Sequence, residues 1–554
     1  MKQLNLGTWE LMLTSRIAAP MLAVALLFGV TAASAQTFTF KKLYDFPTKT
    51  GDPRNPTWPG VFAQGRDGNL YSTSPAGGIG QGTVFQLTPA GAVKVLYQFP
   101  VSGGGPRGGL TLGTDGYLYG TTVGLGLYGN GSVFKIATDG TGYKTLYSFK
   151  PVISGYNPYT APIQGLDGNF YGTTNYGQTN GHPGSVYKLT LTPTGSVLKT
   201  LYNFDKTQGA YPTSLMQATD GNFYGTTQSG GTLAVGVIFK MTPAGQLVWV
   251  HNFTNTDGAV PYGPIIQASD GNFYGTTRVG GMLGEGVVYK ITPAGVYHVL
   301  FNFNVGTSGP GAAPFAGLVQ ATDGKFYGAT TSAAVLYQIT SAGAGTYKNI
   351  YTFTPTTGQL PGVSLFQNTN GILYGDTYSG GTGSLCKCGV AYSLNMGLHP
   401  FAALLTTSGK AGQVIQILGN GLTGTTSVKF GTGSASFTVV SDTYMTAVVP
   451  ATGTTGAVTV TTPSGFRVSS KNFMVLPVIS SFSPTSGPVA SQVVITGTGL
   501  TQTTKVTFGG VAATNFTKSA TQVTATVPTG AVTGKIGITT AGGTATSATV
   551  FTVF

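Results

Sequence analysis

The sequence has little charge, few histidines and almost no cysteine or tryptophan, and each shortage closes off a kind of chemistry. Only 8% of its 554 residues are Asp, Glu, Lys or Arg, and six of its 15 acidic residues recur in one repeated turn. General acid–base catalysis needs titratable groups that converge, and few remain to supply them. The four histidines, His182, His251, His298 and His399, stand in no metal-ligand spacing, so no metal or cofactor is implied. There is no nucleophile elbow, phosphate loop or dinucleotide fingerprint, and glycine runs such as Gly103-Gly104-Gly105 lack the lysine or helix of a phosphate cradle. Paired glycosidase carboxylates stay open, because a fold can join distant residues. Cys386 and Cys388 are the only cysteines. A local disulfide and two free thiols fit that spacing equally, and two ligands alone do not make a zinc site.

Long apolar runs are absent as well, apart from one at the start. Lys2 and Arg16 precede the uncharged stretch Ile17 to Val30, and Ala33-Ser34-Ala35 supplies the small residues of a cleavage site. Residues 1–35 therefore read as a signal peptide, with a mature chain that starts at Gln36 and carries no transmembrane segment. The alternative is an uncleaved anchor, since the run through Ala33 approaches the roughly 17 residues that span a bilayer. The protein is expected to be exported and to lie in the extracellular space, at the cell surface or in the periplasm. Its net charge of +13 comes from 28 scattered Lys and Arg with no run of five. That pattern implies no nucleic-acid partner, but it favours an acidic glycan or anionic surface at long range.

What the chain has in abundance is glycine, proline and aromatics: Gly 86, Pro 30, Tyr 28 and Phe 31, with 41% hydrophobic residues overall. Short strands and tight turns follow, an all-β signature with several cores. One phrase recurs seven times, beginning at Asp67, Asp115, Asp167, Asp220, Asp270, Asp323 and Asn370, as in Asp270-Gly271-Asn272-Phe273-Tyr274. The spacings are 48, 52, 53, 50, 53 and 47 residues. A period near fifty suits one four-stranded propeller blade. In the fifth copy, Pro264 to Ala268, Phe273 to Thr277, Val287 to Thr292 and Tyr297 to Phe303 parse as its strands, divided by turn residues. The fourth-strand phrase is out of step, first at Leu43-Tyr44-Asp45-Phe46 and last at Ile350 to Phe353. The segment 38–46 is therefore expected to supply the outer strand of the last blade and close the ring, which removes an exposed edge. An open solenoid is the competing reading, but it needs capping repeats that the sequence does not show.

The Asp-Gly-Asn-Phe-Tyr-Gly-Thr-Thr, Gly-Gly, Val-Phe-Lys-Ile-Thr-Pro-Ala-Gly and Leu-Tyr-x-Phe elements resemble the choice-of-anchor tandem-repeat GloVer-containing proteins of bacteria, over roughly residues 38 to 396. That resemblance implies export and cell-surface placement, with C-terminal sorting signals that vary among members. It implies no established activity and carries over no functional residue. Neither a hydrophobic tail with a basic stop nor a cell-wall sorting motif is found at the end of this sequence.

From about residue 397 the Tyr-rich phrase gives way to Thr, Ser, Val and Gly in a second repeat with an offset of 78. Gly419-Asn420-Gly421-Leu422 matches Gly497-Thr498-Gly499-Leu500, and Val449-Pro450 matches Val527-Pro528. Units of this size with short alternating strands describe β-sandwiches. Phe482-Ser483-Pro484 and Ser486-Gly487-Pro488 resemble the IPT/TIG immunoglobulin-like domain, which implies a spacer, interaction surface or accessory unit. The terminal strand Ala548 to Phe554 has a faint likeness to an outer-membrane barrel signal, but Phe551 matches Phe473 at the same offset and fits the last sandwich strand better. The expected architecture is a signal peptide (1–35), a seven-bladed β-propeller (36–396) and two immunoglobulin-like β-sandwiches (397–476 and 477–554).

The candidate binding residues are few. Lys135, Lys188, Lys240 and Lys290 share one slot in the third strand, with Gln86, Gln338 and Ser393 elsewhere. They form either an arc for an anionic ligand or a solvated strand face. The turn aspartates fit a structural role better than a calcium ring, since the oxygen-rich calcium spacing is missing and Asn370 replaces one of them. Trp58 and Trp249 survive signal removal, and Tyr128, Tyr156, Tyr176 and Tyr211 lie in loops that can face a ligand. A non-catalytic surface binding or adhesion protein, its partner an extracellular polysaccharide or surface protein, is favoured. The alternative is a propeller enzyme that degrades polysaccharide, with the modules as accessories.

Overall fold

Each repeated phrase folds as a hairpin because its glycine can take a conformation that other residues resist. The glycines of the seven turns, from Gly68 to Gly371, have φ between +79° and +90°. The aspartate closes the turn from inside: Asp270 Oδ1 accepts the Asn272 amide at 3.0 Å and Oδ2 accepts the Tyr274 hydroxyl at 2.7 Å. The computed structural model describes residues 38–56, 62–100, 103–178, 182–304 and 311–554. The expected export segment and Trp58 lie outside the described residues.

In the fifth repeat the strands are Ile266–Gln267, Phe273–Thr277, Val287–Ile291 and Tyr297–Asn302, hydrogen-bonded in chain order as one antiparallel sheet. Seven four-stranded sheets of this kind follow one another. In the seventh, the outer position is taken by Thr39–Asp45, which pairs antiparallel with Val390–Asn395. Thr382 donates its amide and hydroxyl to Asp45 across that junction, and Lys42, paired with Asp45 within the strand, donates to the Thr382 hydroxyl. Among the described residues helix is almost absent: one four-residue α-helix, Pro151–Ser154, and one 3-10 turn, Ala344–Thr346. Among the described residues no helix is long and apolar enough to cross a membrane.

Apolar layers join each sheet to the next. Leu118, Phe134 and Ile136 of the second meet Tyr71, Val84 and Phe99 of the first, and the pattern continues around the set. The last layer combines Tyr374 and Ala391 of the seventh sheet with Leu70, Phe85 and Leu87 of the first, around Phe46. The sheets therefore pack in a closed circuit with no open end. Interior glycines make the sheets thin where this packing requires it: a Cβ at Gly172, Gly275, Gly328 or Gly375 has no room beside the buried hydroxyls of Tyr187, Tyr289, Tyr337 and Tyr392.

A second circuit runs through the short first strands. Gln64, Gln164, Gln217, Gln267, Gln320 and Gln367 each accept, at 2.8 to 3.0 Å, a backbone N–H from the preceding sheet's turn. The seventh link is made differently. Leu112 holds the glutamine position in the second sheet, and Arg66 Nη2 instead donates to the Thr114 carbonyl at 2.6 Å. These links draw the first strands together as the inner edges of the circuit.

Beyond residue 397 five further sheets enclose separate cores, one around Ile417, Phe430 and Phe473, the other around Ile495, Phe508 and Phe551. Phe551 is fully buried against Phe508, with ring centroids 5.2 Å apart, and so belongs to that core.

Phe46 is the residue on which the circuit closes, and truncating a buried Phe costs about 3–5 kcal/mol. Phe46→Ala is expected to lower the unfolding free energy by that amount and to expose the 38–46 segment to proteolysis first. Denaturant unfolding and limited proteolysis check this. A second expectation concerns Asp376. Other sheets hold Thr73, Thr121, Thr173, Thr226 or Thr276 at this position, and Thr121 and Thr276 give their hydroxyls to carbonyls of the next repeat at 3.0 Å. Asp376 is 1% exposed, and among the described residues neither carboxylate oxygen has a partner. Burial pushes its carboxyl well above the usual 3.8. The folded protein thus keeps a proton that the unfolded chain releases above about pH 4, so this group's contribution is complete below that pH and declines as pH rises. Asp376→Thr is expected to stabilise the protein at pH 7 by ~1–3 kcal/mol, the cost of a buried unpaired polar group. The gain should shrink toward pH 4 in denaturant titrations.

Candidate functional site

The sheet topology gives the circuit two unlike ends. Hairpins between strands one and two and between three and four share one end, which carries the repeated Asp-Gly turns. Connections between strands two and three, and from each sheet to the next, share the other. The first is the turn end and the second the loop end.

The predicted lysine arc lies at the turn end. Lys188 pairs with Asp167 at 2.8 Å, Lys240 with Asp220 at 3.0 Å and Lys290 with Asp270 at 3.6 Å, each within its own sheet. Lys135 sits 4.1 Å over the Tyr117 ring, and Gln86 donates to the Tyr71 hydroxyl at 2.8 Å. Burial alone would raise the Asp167 carboxyl, but hydrogen bonds from Lys188, Asn169 and Tyr171 outweigh it and hold it at about 2. Three of the four cations thus face a carboxylate already in place. A shallow open pocket between the third and fourth sheets is lined by Lys188, Val197, Lys199, Leu201 and Pro243.

The turn end also receives the C-terminal part of the chain. Thr443 Oγ1 donates to the Arg66 carbonyl at 2.7 Å, the Arg66 guanidinium lies 4.5 Å over the Tyr444 ring, and Thr369 Oγ1 donates to the Gly419 carbonyl at 2.8 Å. The turns of the first and seventh sheets are therefore covered.

The loop end has a different character. Of the loop tyrosines singled out in the sequence, three come together: Tyr156 stacks on Tyr176 at 4.6 Å, and Tyr211 meets Tyr176 edge-on at 5.9 Å. Tyr128 stands apart, half-exposed, with Lys150 4.7 Å over its ring. Cys386 and Cys388 form a disulfide in the loop of the seventh sheet. Sequence reasoning missed a second cluster. A proline recurs near the start of every sheet, at Pro56, Pro106, Pro158, Pro212, Pro261, Pro314 and Pro361, within the longer first strand Ala210–Gln217 in the fourth and ahead of the first strand in the others, and the residue after it varies. In the second, third, fifth and sixth sheets it is Arg107, Tyr159, Tyr262 and Phe315. Arg107 lies 5.7 Å over the Tyr159 ring, Tyr262 and Phe315 are 5.2 Å apart, and Arg278 lies 4.4 Å over Phe315. Burial pushes the Tyr262 hydroxyl up; Arg278 and Arg107 pull it down and Tyr159 adds to the rise, so all four side chains share one neighbourhood. The recurring proline was the available signal, hidden because the residue that follows it is not itself repeated. Among the described residues no group of three or more His, Cys, Asp or Glu is arranged to hold a metal ion.

Overlapping matches to the Gloeobacter/Verrucomicrobia repeat extend over residues 25–215, 108–334, 160–389 and 268–457. The chain belongs to the Gloeobacter/Verrucomicrobia repeat family. Residues 477–553 of this repeat protein match the IPT/TIG domain. No curated protein matches the sequence. Among solved structures, virginiamycin B lyase from Staphylococcus aureus is 14% identical with a TM-score of 0.43, over 65% of this chain and 99% of that one. A gluconolactonase from Xanthomonas campestris is 14% identical with a TM-score of 0.32, over 52% and 91%. SGBP-B from a xyloglucan utilization locus in Bacteroides uniformis is 18% identical with a TM-score of 0.15, over 27% and 48%.

The turn-end ion pairs of this Gloeobacter/Verrucomicrobia repeat protein are partly exposed, and such pairs contribute about 0.2–1 kcal/mol each. The combined Lys188→Gln, Lys240→Gln and Lys290→Gln variant is expected to keep its fold, with a loss of at most about 3 kcal/mol by chemical denaturation. A larger loss would show that the pairs carry the turns.

Proposed function

We propose that this chain is an exported, non-catalytic binding protein of the cell surface or extracellular space, and that it holds a glycan at the loop end. In this reading residues 1–35 are a cleaved signal, 36–396 form a seven-bladed β-propeller closed by the segment 38–46, and 397–476 and 477–554 are two IPT/TIG-like β-sandwiches that act as spacers. The seven four-stranded sheets and their closed packing circuit support the propeller. Membership of the repeat family and the IPT/TIG match support a surface protein built of binding and spacer modules.

One observation carries the glycan. Aromatic rings from several repeats lie at the loop end, opposite the end that receives the C-terminal modules: Tyr159, Tyr262 and Phe315 near the inner edges, and Tyr156, Tyr176 and Tyr211 in a second group. The C–H face of a pyranose is apolar and flat enough to stack on such rings, while its hydroxyls stay in water. The lysine arc, three of its members already paired, supports the fold better than it supports a ligand.

A glycan array on the purified mature chain, with a parallel assay for released reducing ends, tests this reading. Binding without turnover is expected, and Tyr159→Ala and Tyr262→Ala should each weaken it about tenfold or more, a typical loss for a buried contact residue. Reducing-end release would favour the alternative of a polysaccharide-degrading enzyme. A blank array would remove the glycan altogether.

A further inference from the structure

The loop-end cluster contains two cations that stand outside the ion pairs of the described residues. Arg107 and Arg278 are exposed, and among the described residues neither has a carboxylate within 4.0 Å. Lys188, Lys240 and Lys290 of the turn end behave in the opposite way, pairing with the aspartates of their own turns. Each arginine rests instead on an aromatic face, Arg107 on Tyr159 and Arg278 on Phe315. A guanidinium that engages a ring with its face still has N–H groups to offer, and their fork matches the two oxygens of a carboxylate.

The position in the fold brings these groups to one mouth. Six glutamine links and Arg66 tie the first strands into a circle, and the residue after each repeated proline stands at or just ahead of the start of those strands. Reading around from the second sheet, that slot holds Arg107, Tyr159, Thr213, Tyr262, Phe315 and Gly362. Arg107 and Tyr159 form one contact group and Tyr262, Phe315 and Arg278 another, with Thr213 between them in the series and a glycine at the seventh sheet. This rim differs from repeat to repeat, unlike the turn end, and so is suited to recognising a ligand without sevenfold symmetry.

We propose that this mouth binds a polysaccharide that carries carboxylates, a chain of uronate type, with sugar rings lying on Tyr159, Tyr262 and Phe315 and carboxylates taken by Arg107 and Arg278. The assignment rests on the glycan reading above and adds the charge of the ligand. A neutral polysaccharide gives the two arginines nothing to pair with. An acidic protein segment pairs with them but does not need the aromatic rings beside them. The net charge of +13 draws a polyanion toward the molecule from a distance.

The test is calorimetric titration of the full chain with polygalacturonate and with the same polymer methyl-esterified, which differ only in whether the carboxyl is free. The acid form should bind at least about tenfold more tightly than the ester, in line with a charge-assisted contact. Arg107→Gln and Arg278→Gln should each weaken binding of the acid form roughly 10- to 100-fold without altering the unfolding temperature. The triple lysine variant should leave it unchanged. Equal affinity for the two polymers, untouched by the arginine variants, overturns the acidic preference and leaves the glycan reading standing. Failure to bind either polymer, alongside a blank array, overturns both. Equally tight binding of polyglutamate, unaffected by Tyr159→Ala, overturns the sugar in favour of an acidic protein partner. Equal loss in the triple lysine variant reduces the effect to bulk positive charge and overturns the assigned site.

Discussion

A four-stranded sheet with two apolar faces is stable only when both are covered, and everything else in this protein depends on that requirement being met seven times over. Each sheet is too short to fold alone: its first strand is often only two residues, and its aromatic side chains reach both faces. The circuit succeeds because the last gap is filled by a strand from the other end of the chain. Thr39–Asp45 completes the seventh sheet while Phe46 fills the layer against the first. Sealing the circuit this way puts the two ends of the repeat region in one sheet, so neither can fray without opening the core. Seven inner-edge links repeat the same logic in hydrogen bonds, each turn being held by the sheet that follows it.

That arrangement explains why the repeated residues and the varied ones fall at opposite ends. The residues that recur, Asp, Gly, Asn and Tyr of the turns and the third-strand lysines, satisfy one another: carboxylate to hydroxyl, carboxylate to amide, ammonium to carboxylate. A group so committed offers little to a partner, because binding would first have to break the existing contact. The connections at the loop end are under no such constraint. Their prolines and positive-φ residues, among them Asn157, Tyr211, Val260 and Leu360, fix the course of the backbone, and the side chains that follow are free to differ.

The same division decides what could be read from the residues alone. The turn phrase was legible because it repeats with its neighbours intact, and strands parsed from the fifth copy, such as Phe273–Thr277, coincide with the sheet. The displaced Leu43 to Phe46 phrase has its counterpart in the pairing of Thr39–Asp45. The glutamine links were not legible, since one glutamine in a two-residue strand looks like any polar strand residue and its partner lies some fifty positions away. Asp376 was equally silent. It stands one place from a threonine-rich phrase, and only burial without a partner reveals that its carboxyl is out of the ordinary. Arg107, Tyr159, Tyr262 and Phe315 escaped because self-similarity finds what recurs, and a rim built from dissimilar residues on a recurring scaffold is invisible to it.

A ring of near-equivalent repeats presents seven similar places at which a following module could dock, so a unique placement must come from residues that break the repeat. Arg66 does so at the first sheet. It replaces the missing glutamine link by donating to the Thr114 carbonyl, while its guanidinium also covers Tyr444 and its own carbonyl accepts from Thr443. At the seventh sheet Asn368 takes a position held by Ala or Gly in the other repeats and donates to the Gly68 carbonyl at 3.0 Å. Next to it Thr369 receives the Phe401 amide on its carbonyl and gives its hydroxyl to Gly419. The irregular residues thus cluster at the junction of the first and last sheets, where the circuit closes. One set of departures from the repeat seals the ring and orients the C-terminal modules on it, which leaves the opposite mouth uncovered by them.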